Sequence, residues 1–160
     1  MQGDHVMWEP TEQGFEDFVE SVGPRLRHAF VARYGPDVGS EATSEALAYA
    51  WENWKRVTTL KNPAGWVYRA GQSRSRRFFR KPTQLPVPQG SHNPTVEPEL
   101  PKCLARLSDK QRTAVMLVHA FGYTVRETAD LLGVSPSTVQ RNAARALANL
   151  REGLGVSTHV

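Results

Sequence analysis

Apolar residues recur with the three- to four-residue spacing of helices along most of this chain, and the pattern is most complete over residues 123–151. Thr124, followed three positions later by Glu127, is typical of a capped helix start. Gly133 predicts the end of that helix, since glycine readily takes the left-handed conformation found there. Ser135 is placed to cap a second helix that begins directly afterwards. The stretch therefore predicts two helices joined by a tight turn.

The second helix of this pair has one apolar and one polar face, and Pro136 suits its first turn, where a missing N–H removes no hydrogen bond. The apolar face carries Val139, Ala143, Ala146, Leu147 and Leu150. The polar face carries Ser137, Thr138, Gln140, Arg141 and Arg145. Such side chains are able to reach phosphates and base edges in a major groove, so the pattern is typical of a DNA-binding helix-turn-helix. The alternative is the ordinary solvated face of a core helix.

The rest of the hydrophobic pattern predicts an all-α protein, because no alternating run of β-branched residues suggests a strand. A first helix is expected over residues 13–34, with a kink at Pro24. A second is expected over residues 40–54, and a third begins at Pro63. Later in the chain, Ser108 predicts the cap of a further helix.

Prolines divide the chain into two parts. Between Lys81 and Pro101 they occur at positions 82, 86, 88, 94, 98 and 101, and each removes a backbone donor and disfavours helix in the preceding residue. We therefore predict two small helical domains, residues 11–81 and 102–153, joined by a linker over residues 82–101. Polyproline character makes such a linker extended and semi-rigid, so it is expected to hold the two domains apart.

Charge is distributed unevenly in this chain of 160 residues and formal net charge +4. The run RSRRFFRK at residues 74–81 contains no acid. The third helix and this run together contain Trp66, Tyr68, Arg69, Arg74, Arg76, Arg77, Phe78, Phe79, Arg80 and Lys81. Arginines bind along a phosphate backbone, and aromatic side chains stack on unstacked bases. Together they are typical of a surface that binds single-stranded nucleic acid. For Trp66 the alternative is burial in the core.

The second helix combines acids with more aromatic side chains than one face of a small domain usually buries. Its relevant residues are Glu41, Glu45, Tyr49, Trp51, Glu52 and Trp54. Aromatics left exposed beside acids predict a surface that docks a protein partner. A plain core role is the alternative for Trp51.

Other classes of protein find no support in the sequence. The five histidines are scattered without metal-ligand spacing, no glycine-rich phosphate loop occurs, and Cys103 has no histidine near it in sequence to activate it. We therefore expect no catalytic residue, no metal and no cofactor. A single cysteine forms no intrachain disulfide, and neither a signal peptide nor an apolar membrane span is visible. These features predict a cytoplasmic protein that is not an enzyme and does not insert into membranes.

The order of several motifs carries a resemblance to a known family. ENWKRV and NPAGWVYRAG precede the basic run, and LSDKQRTAVMLVHAFGYTVRETADLLGVSPSTVQRNAARALANLR follows the linker. Over residues 13–152 the chain resembles the extracytoplasmic-function (ECF) group of the sigma-70 family. The resemblance implies one domain that binds the polymerase clamp and melts the −10 element, and a second that binds the −35 element. Core RNA polymerase, promoter DNA and an anti-sigma factor are the implied partners.

The resemblance also assigns sites to positions of this chain. The clamp-docking set is Glu41, Ser44, Glu45, Tyr49, Trp51 and Glu52. The −10 set is Lys61, Asn62, Trp66, Tyr68, Arg69, Arg74, Arg76, Arg77 and Arg80. The −35 set is Pro136, Ser137, Thr138, Gln140, Arg141, Ala144 and Arg145. The chain departs from the family pattern at Ser44, where a glutamine is usual, and at Ser73 and Arg77, where an asparagine and an aspartate are usual.

Gln140 also departs from the family, which usually has lysine or arginine at its position. Glutamine pairs bidentately with adenine, so a changed −35 preference at one base is expected. The alternative to a sigma factor is a stand-alone LuxR-type helix-turn-helix regulator, whose DNA-binding domain opens with a segment like LSDKQRTAV. Such regulators usually carry a receiver or ligand-binding domain ahead of it, and this sequence shows no strand pattern for a receiver.

Overall fold

A computed structural model describes residues 7–75, the amino-terminal half, and residues 98–155, the carboxy-terminal half. The amino-terminal half contains α1 (Glu12–Tyr34), α2 (Pro36–Glu52), α3 (Trp54–Val57) and α4 (Pro63–Ser75). The carboxy-terminal half contains α5 (Leu100–Arg106), α6 (Asp109–Val115), α7 (Val125–Leu132) and α8 (Pro136–Gly153). The predicted all-α fold is confirmed. None of the helices in these two segments is long and apolar enough to cross a membrane.

α1 and α2 pack closely and supply most of the amino-terminal core. α1 begins where the Thr11 hydroxyl accepts a hydrogen bond from the Gly14 N–H at 3.1 Å, and it continues through Pro24 without a break. A Cβ on Gly39 of α2 would lie 2.6 Å from the Val31 backbone, so only glycine permits this approach. The buried core contains Phe18, Leu26, Phe30, Ala42, Ala46, Trp54, Val57 and Val67.

The bounds of the second helix differ from the prediction of residues 40–54. α2 begins at Pro36, which takes the first helical position after Gly35, a residue with φ of 89°. It ends at Glu52 because Asn53 leaves helical geometry and donates its side-chain N–H to the Tyr49 carbonyl at 3.0 Å. Trp54 is buried, and its indole N–H lies 2.9 Å from the Glu9 carbonyl. Trp54 therefore belongs to the core.

The helix-turn-helix is confirmed. The Thr124 hydroxyl accepts from the Glu127 N–H at 3.1 Å, and the Glu127 carboxylate accepts from the Thr124 N–H at 2.8 Å. Gly133 ends α7 with φ of 68° and ψ of 36°, in the left-handed region. Ser135 then caps α8 by accepting from the Thr138 N–H at 3.2 Å. These local bonds fix the angle between α7 and α8.

Two further features complete the carboxy-terminal half. α6 continues into a π-helical turn, Met116–Ala120, which precedes α7. α5 begins at Leu100, inside the stretch predicted as linker, with Pro101 in its first turn, where proline is tolerated. The predicted linker positions 82–97 lie outside the described residues.

The two halves are in direct contact, so the expectation that the linker holds them apart is wrong for this arrangement. Leu117 and Leu131 of the carboxy-terminal half belong to the same apolar cluster as Phe30 and Tyr68. In return, Ala32 of α1 belongs to a cluster that otherwise comes from the carboxy-terminal half. Burial of these apolar side chains away from water favours the closed arrangement over separated domains.

Candidate nucleic-acid interface

The outer face of α8 is the surface best suited to duplex DNA. Pro136, Ser137, Gln140, Arg141, Ala144 and Arg145 are exposed. Val139 and Ala143 are buried on the opposite face and hold this helix against α6 and α7. Thr138 is half-buried, with its hydroxyl 2.8 Å from that of Ser135. The residues predicted to contact the −35 element thus share one surface, at whose edge Thr138 supports the helix cap.

Tyr68, predicted to contact the −10 element, is instead a core residue. It is 2% exposed, and its ring stacks on that of Phe30 with centroids 4.9 Å apart. Burial raises the pKa of its hydroxyl to about 12. The prediction failed because one face of α4 packs against α1 and α2, and Tyr68 lies on that face.

Trp66 has a mixed environment. Its ring stacks on that of Tyr49 with centroids 5.4 Å apart, and the Arg56 guanidinium lies 6.0 Å from its ring centroid. The side chain is half-buried. One face of the indole is therefore occupied by α2, and Trp66 joins the predicted docking helix to the predicted −10 surface.

Arg74 is partnered within the amino-terminal half. Its Nε lies 3.7 Å from a Glu45 carboxylate oxygen, and its guanidinium carbon lies 4.6 Å from the centroid of the Tyr49 ring. These contacts orient the side chain across α2. Arg76, Arg77 and Arg80, the other arginines predicted here, lie outside the described residues.

Two predicted −10 residues contact the helix-turn-helix. The Asn62 side chain accepts from the Gly65 N–H at 3.0 Å, near the start of α4, and donates to the Asp130 carbonyl at 2.7 Å. Arg69 donates to the carbonyl of Gly133, in the turn between α7 and α8. Lys61, the neighbour of Asn62, is exposed. The predicted −10 surface and the helix-turn-helix therefore meet each other in this structure.

The predicted clamp-docking set has one exposed side. Glu41, Ser44, Trp51 and Glu52 are exposed, and the Trp51 side chain keeps 49% of its surface accessible although its ring contacts Phe15. Glu45 and Tyr49 are half-buried and are held by their contacts with Arg74. A large exposed aromatic beside acids is a reasonable docking surface for a protein partner.

Sequence reasoning missed the residues that join the two halves. Arg112 is 1% exposed and donates to the carbonyls of Ala32 at 3.0 Å and Arg33 at 2.7 Å. His28 stacks on Phe121 with centroids 4.2 Å apart, and its Nδ1 lies 2.7 Å from the Tyr123 hydroxyl. Burial and then the charge of Arg27 keep the pKa of His28 below its ordinary value.

Only one weak signal in the sequence pointed to Arg112, namely Asp109 three positions earlier. The Asp109 carboxylate accepts from Arg112 at 2.7 Å, and its other oxygen lies 3.8 Å from Arg33. Such spacing is common on solvated helix faces and does not distinguish a buried arginine. The partners of Arg112 on α1 lie about 80 positions away, beyond the reach of any local pattern.

Comparison with known proteins covers both halves. Residues 98–150 match the family model for sigma-70 region 4. The RNA polymerase sigma-E factor of Streptomyces avermitilis is 36% identical over 134 residues, which cover 81% of this chain and 68% of that protein. The ECF RNA polymerase sigma factor SigM of Mycobacterium tuberculosis is 44% identical over 54 residues, which cover 34% of this chain and 28% of SigM.

The fold also matches a solved structure, that of the sigma factor RpoE from Bartonella quintana in complex with the anti-sigma factor NepR. The TM-score is 0.60 at 21% sequence identity, over 91% of this chain and 99% of that chain. The Streptomyces avermitilis match extends beyond the region-4 segment into the amino-terminal half, which decides against a LuxR-type regulator. The chain belongs to the ECF group of the sigma-70 family of RNA polymerase sigma factors.

Proposed function

We propose that this protein is a sigma factor, which binds core RNA polymerase and directs it to start transcription at selected promoters. The observation that carries the proposal is the complete helix-turn-helix with a polar outer face, in a chain of this family. The protein contributes promoter choice and no catalytic step of its own. It acts in the cytoplasm, where its partner polymerase and promoter DNA are.

The carboxy-terminal domain, residues 102–153, reads the −35 element as duplex DNA. α8 enters the major groove with Gln140, Arg141 and Arg145 towards the bases and phosphates. Arginine pairs bidentately with guanine and glutamine with adenine, so these side chains supply sequence preference as well as affinity. Ser137, near the start of the helix, is placed for a phosphate contact.

The amino-terminal domain, residues 11–81, captures the −10 element as an unstacked strand. Lys61, Asn62 and Arg69 form the polar part of this surface, and the outer edge of Trp66 supplies an aromatic contact. Tyr68 acts from the core by fixing the position of α4. The basic residues Arg76, Arg77 and Arg80 extend the same charged segment in sequence and add phosphate affinity.

The exposed side of α2 docks on the polymerase. Trp51 provides the large aromatic group that protein interfaces often use as an anchor. Glu52 is its neighbour in sequence, and Glu41 lies about 15 Å away along α2. The ion pair between Arg74 and Glu45 is one of the contacts that join α4 to α2. Docking on the polymerase therefore also orients the −10 surface.

Promoter capture requires the two halves to separate. In the closed arrangement Asn62 and Arg69 each donate to a carbonyl of the helix-turn-helix, that of Asp130 or Gly133, so these donors compete with DNA contacts. Polymerase binding to both halves supplies the free energy for this opening. An anti-sigma factor is the expected opposing partner, by analogy with RpoE, whose structure was solved in complex with NepR.

Run-off transcription tests this function. Core RNA polymerase is incubated with genomic DNA fragments, with and without the protein, and new transcripts are mapped for shared upstream elements. Arg145→Ala should abolish most of these transcripts, whereas Arg151→Ala, an exposed arginine near the end of the same helix, should retain them. No new transcript, together with no binding to core polymerase, would leave a stand-alone DNA-binding protein as the better account.

A further inference from the structure

A cavity of about 260 Å³ lies on the boundary between the two halves. Arg33 of α1 and Tyr68 and Arg69 of α4 line it from the amino-terminal side. The carboxy-terminal side consists of residues from α6, from the end of α7 and the turn after it, and from the first two turns of α8. We name this space the seam cavity. Its shape depends on both halves, so it exists only while they are closed on each other.

The polar groups of the seam cavity favour an anion. Arg33, Arg69 and Lys110 line it, and none of the described residues that line it is acidic. Arg33 is only partly neutralised, since its nearest carboxylate, that of Asp109, is 3.8 Å away. Its guanidinium also hydrogen-bonds with the side chains of Tyr34 and Tyr68, which are neutral and add no negative charge. A cavity whose described lining has cationic groups and no acid is suited to an anion.

The rest of the cavity lining is part apolar and part neutral polar. Ala114, Leu132, Val134 and Val139 contribute apolar side chains, and the neutral polar residues are Gln72, Thr113, Thr138 and Asn142. A cavity of about 150 Å³ lined by aliphatic residues is large enough for benzene. The larger volume here accommodates a ring of that size together with a charged substituent. Pockets that combine an apolar wall with a few polar groups are typical of small-molecule sites.

We propose that the seam cavity binds a small aromatic carboxylate, with its carboxylate towards Arg33 and Lys110 and its ring against Leu132 and Val139. Both halves contact such a ligand, so its binding favours the closed arrangement by mass action. A ligand that favours closure should lower transcription, because Asn62 and Arg69 are engaged with the helix-turn-helix in the closed arrangement. This effect on transcription rests on the proposed function. The binding site itself does not depend on that function.

Titration with benzoate, followed by amide chemical shifts, tests the site on the full chain without polymerase or DNA. We expect saturable shifts at residues around the cavity, and none with benzamide, which has the same shape without the charge. Arg33→Met should weaken binding about tenfold through loss of a charge-assisted hydrogen bond. Arg27→Met, an exposed arginine on the same helix, is the matched control and should bind as the wild type does.

Lys110→Met is a second variant for the case that Arg33→Met does not fold. Lys110 is exposed, so its replacement should leave the fold intact. We expect this variant to bind benzoate about threefold more weakly than the wild type. Equal shifts with benzoate and benzamide, shifts that do not saturate, or shifts away from the cavity would overturn the site.

Run-off transcription with and without saturating benzoate separately tests whether ligand binding lowers transcription. Benzoate should lower transcript yield with the wild type more than with Lys110→Met. Unchanged yield despite binding at the seam would overturn the coupling to closure. A protein that gives no transcript in either condition disproves the proposed function and leaves the binding result intact.

Discussion

Replacing Arg112 with methionine should destabilise both halves of the protein. Ala32 and Arg33 lie in the last turn of α1, where backbone carbonyls have no partner within the helix. Arg112 donates to both carbonyls, and its positive charge lies at the negative end of the helix dipole. It also donates to the Leu107 carbonyl at 3.1 Å. One side chain thus satisfies buried acceptors in both halves.

The expected cost follows from these contacts. Methionine keeps much of the apolar volume, so the loss comes mainly from carbonyls left without a donor, at about 1–3 kcal/mol for each buried group. Desolvation of the arginine charge in the wild type offsets part of this loss. We expect Arg112→Met to lower the free energy of unfolding by about 3–5 kcal/mol. That is a large fraction of the ~5–15 kcal/mol typical of a folded protein.

The assay is urea denaturation followed by tryptophan fluorescence. All four tryptophans, at positions 8, 51, 54 and 66, lie in the amino-terminal half, whereas Arg112 lies in the other half. A shift of the tryptophan transition therefore reports coupling between the halves. Arg106→Met, an exposed arginine six positions away, is the control and should change stability by less than about 0.5 kcal/mol. A tryptophan transition unchanged in Arg112→Met would refute the reasoning.

Three further predictions concern single positions. Gly133→Ala should cost about 1–2 kcal/mol in denaturant unfolding, because φ is 68° there and the new Cβ would lie 2.7 Å from Arg69; unchanged stability would contradict this. Folded His28 binds a proton less readily than unfolded His28, so stability should fall as pH drops below about 6.5, and His28→Gln should reduce that fall in melting curves. Gln140→Lys should change the selected −35 sequence at one base pair when promoter variants are transcribed with each holoenzyme, and identical selections would count against base reading by Gln140.

Most of the local structure could be predicted from the sequence. Thr124, Glu127, Gly133 and Ser135 form the caps and the turn as expected, since each acts on backbone groups within a few residues. The predicted bounds of α2 were less accurate than those of the helix-turn-helix. The prediction took Ser40 as the start, whereas the helix begins at Pro36.

The candidate site was predicted in part. The outer face of α8 follows from helical periodicity, and it is exposed as expected. The side chains of α4 were harder to assign, because arginines and aromatics alternate on a helix that packs on two sides. Tyr68 is buried and Arg74 is paired with Glu45, and neither fact is visible in the spacing of residues along α4.

The sequence by itself determined the helices, their caps and the helix-turn-helix, because those features depend on neighbours within about one or two turns. Only the tertiary structure decided that the two halves close on each other, that Arg112 holds the end of α1 and that Asn62 and Arg69 face the helix-turn-helix. These contacts join residues 64 to 80 positions apart. Their formation depends on how apolar faces pack in three dimensions, and a linear pattern does not specify which faces meet.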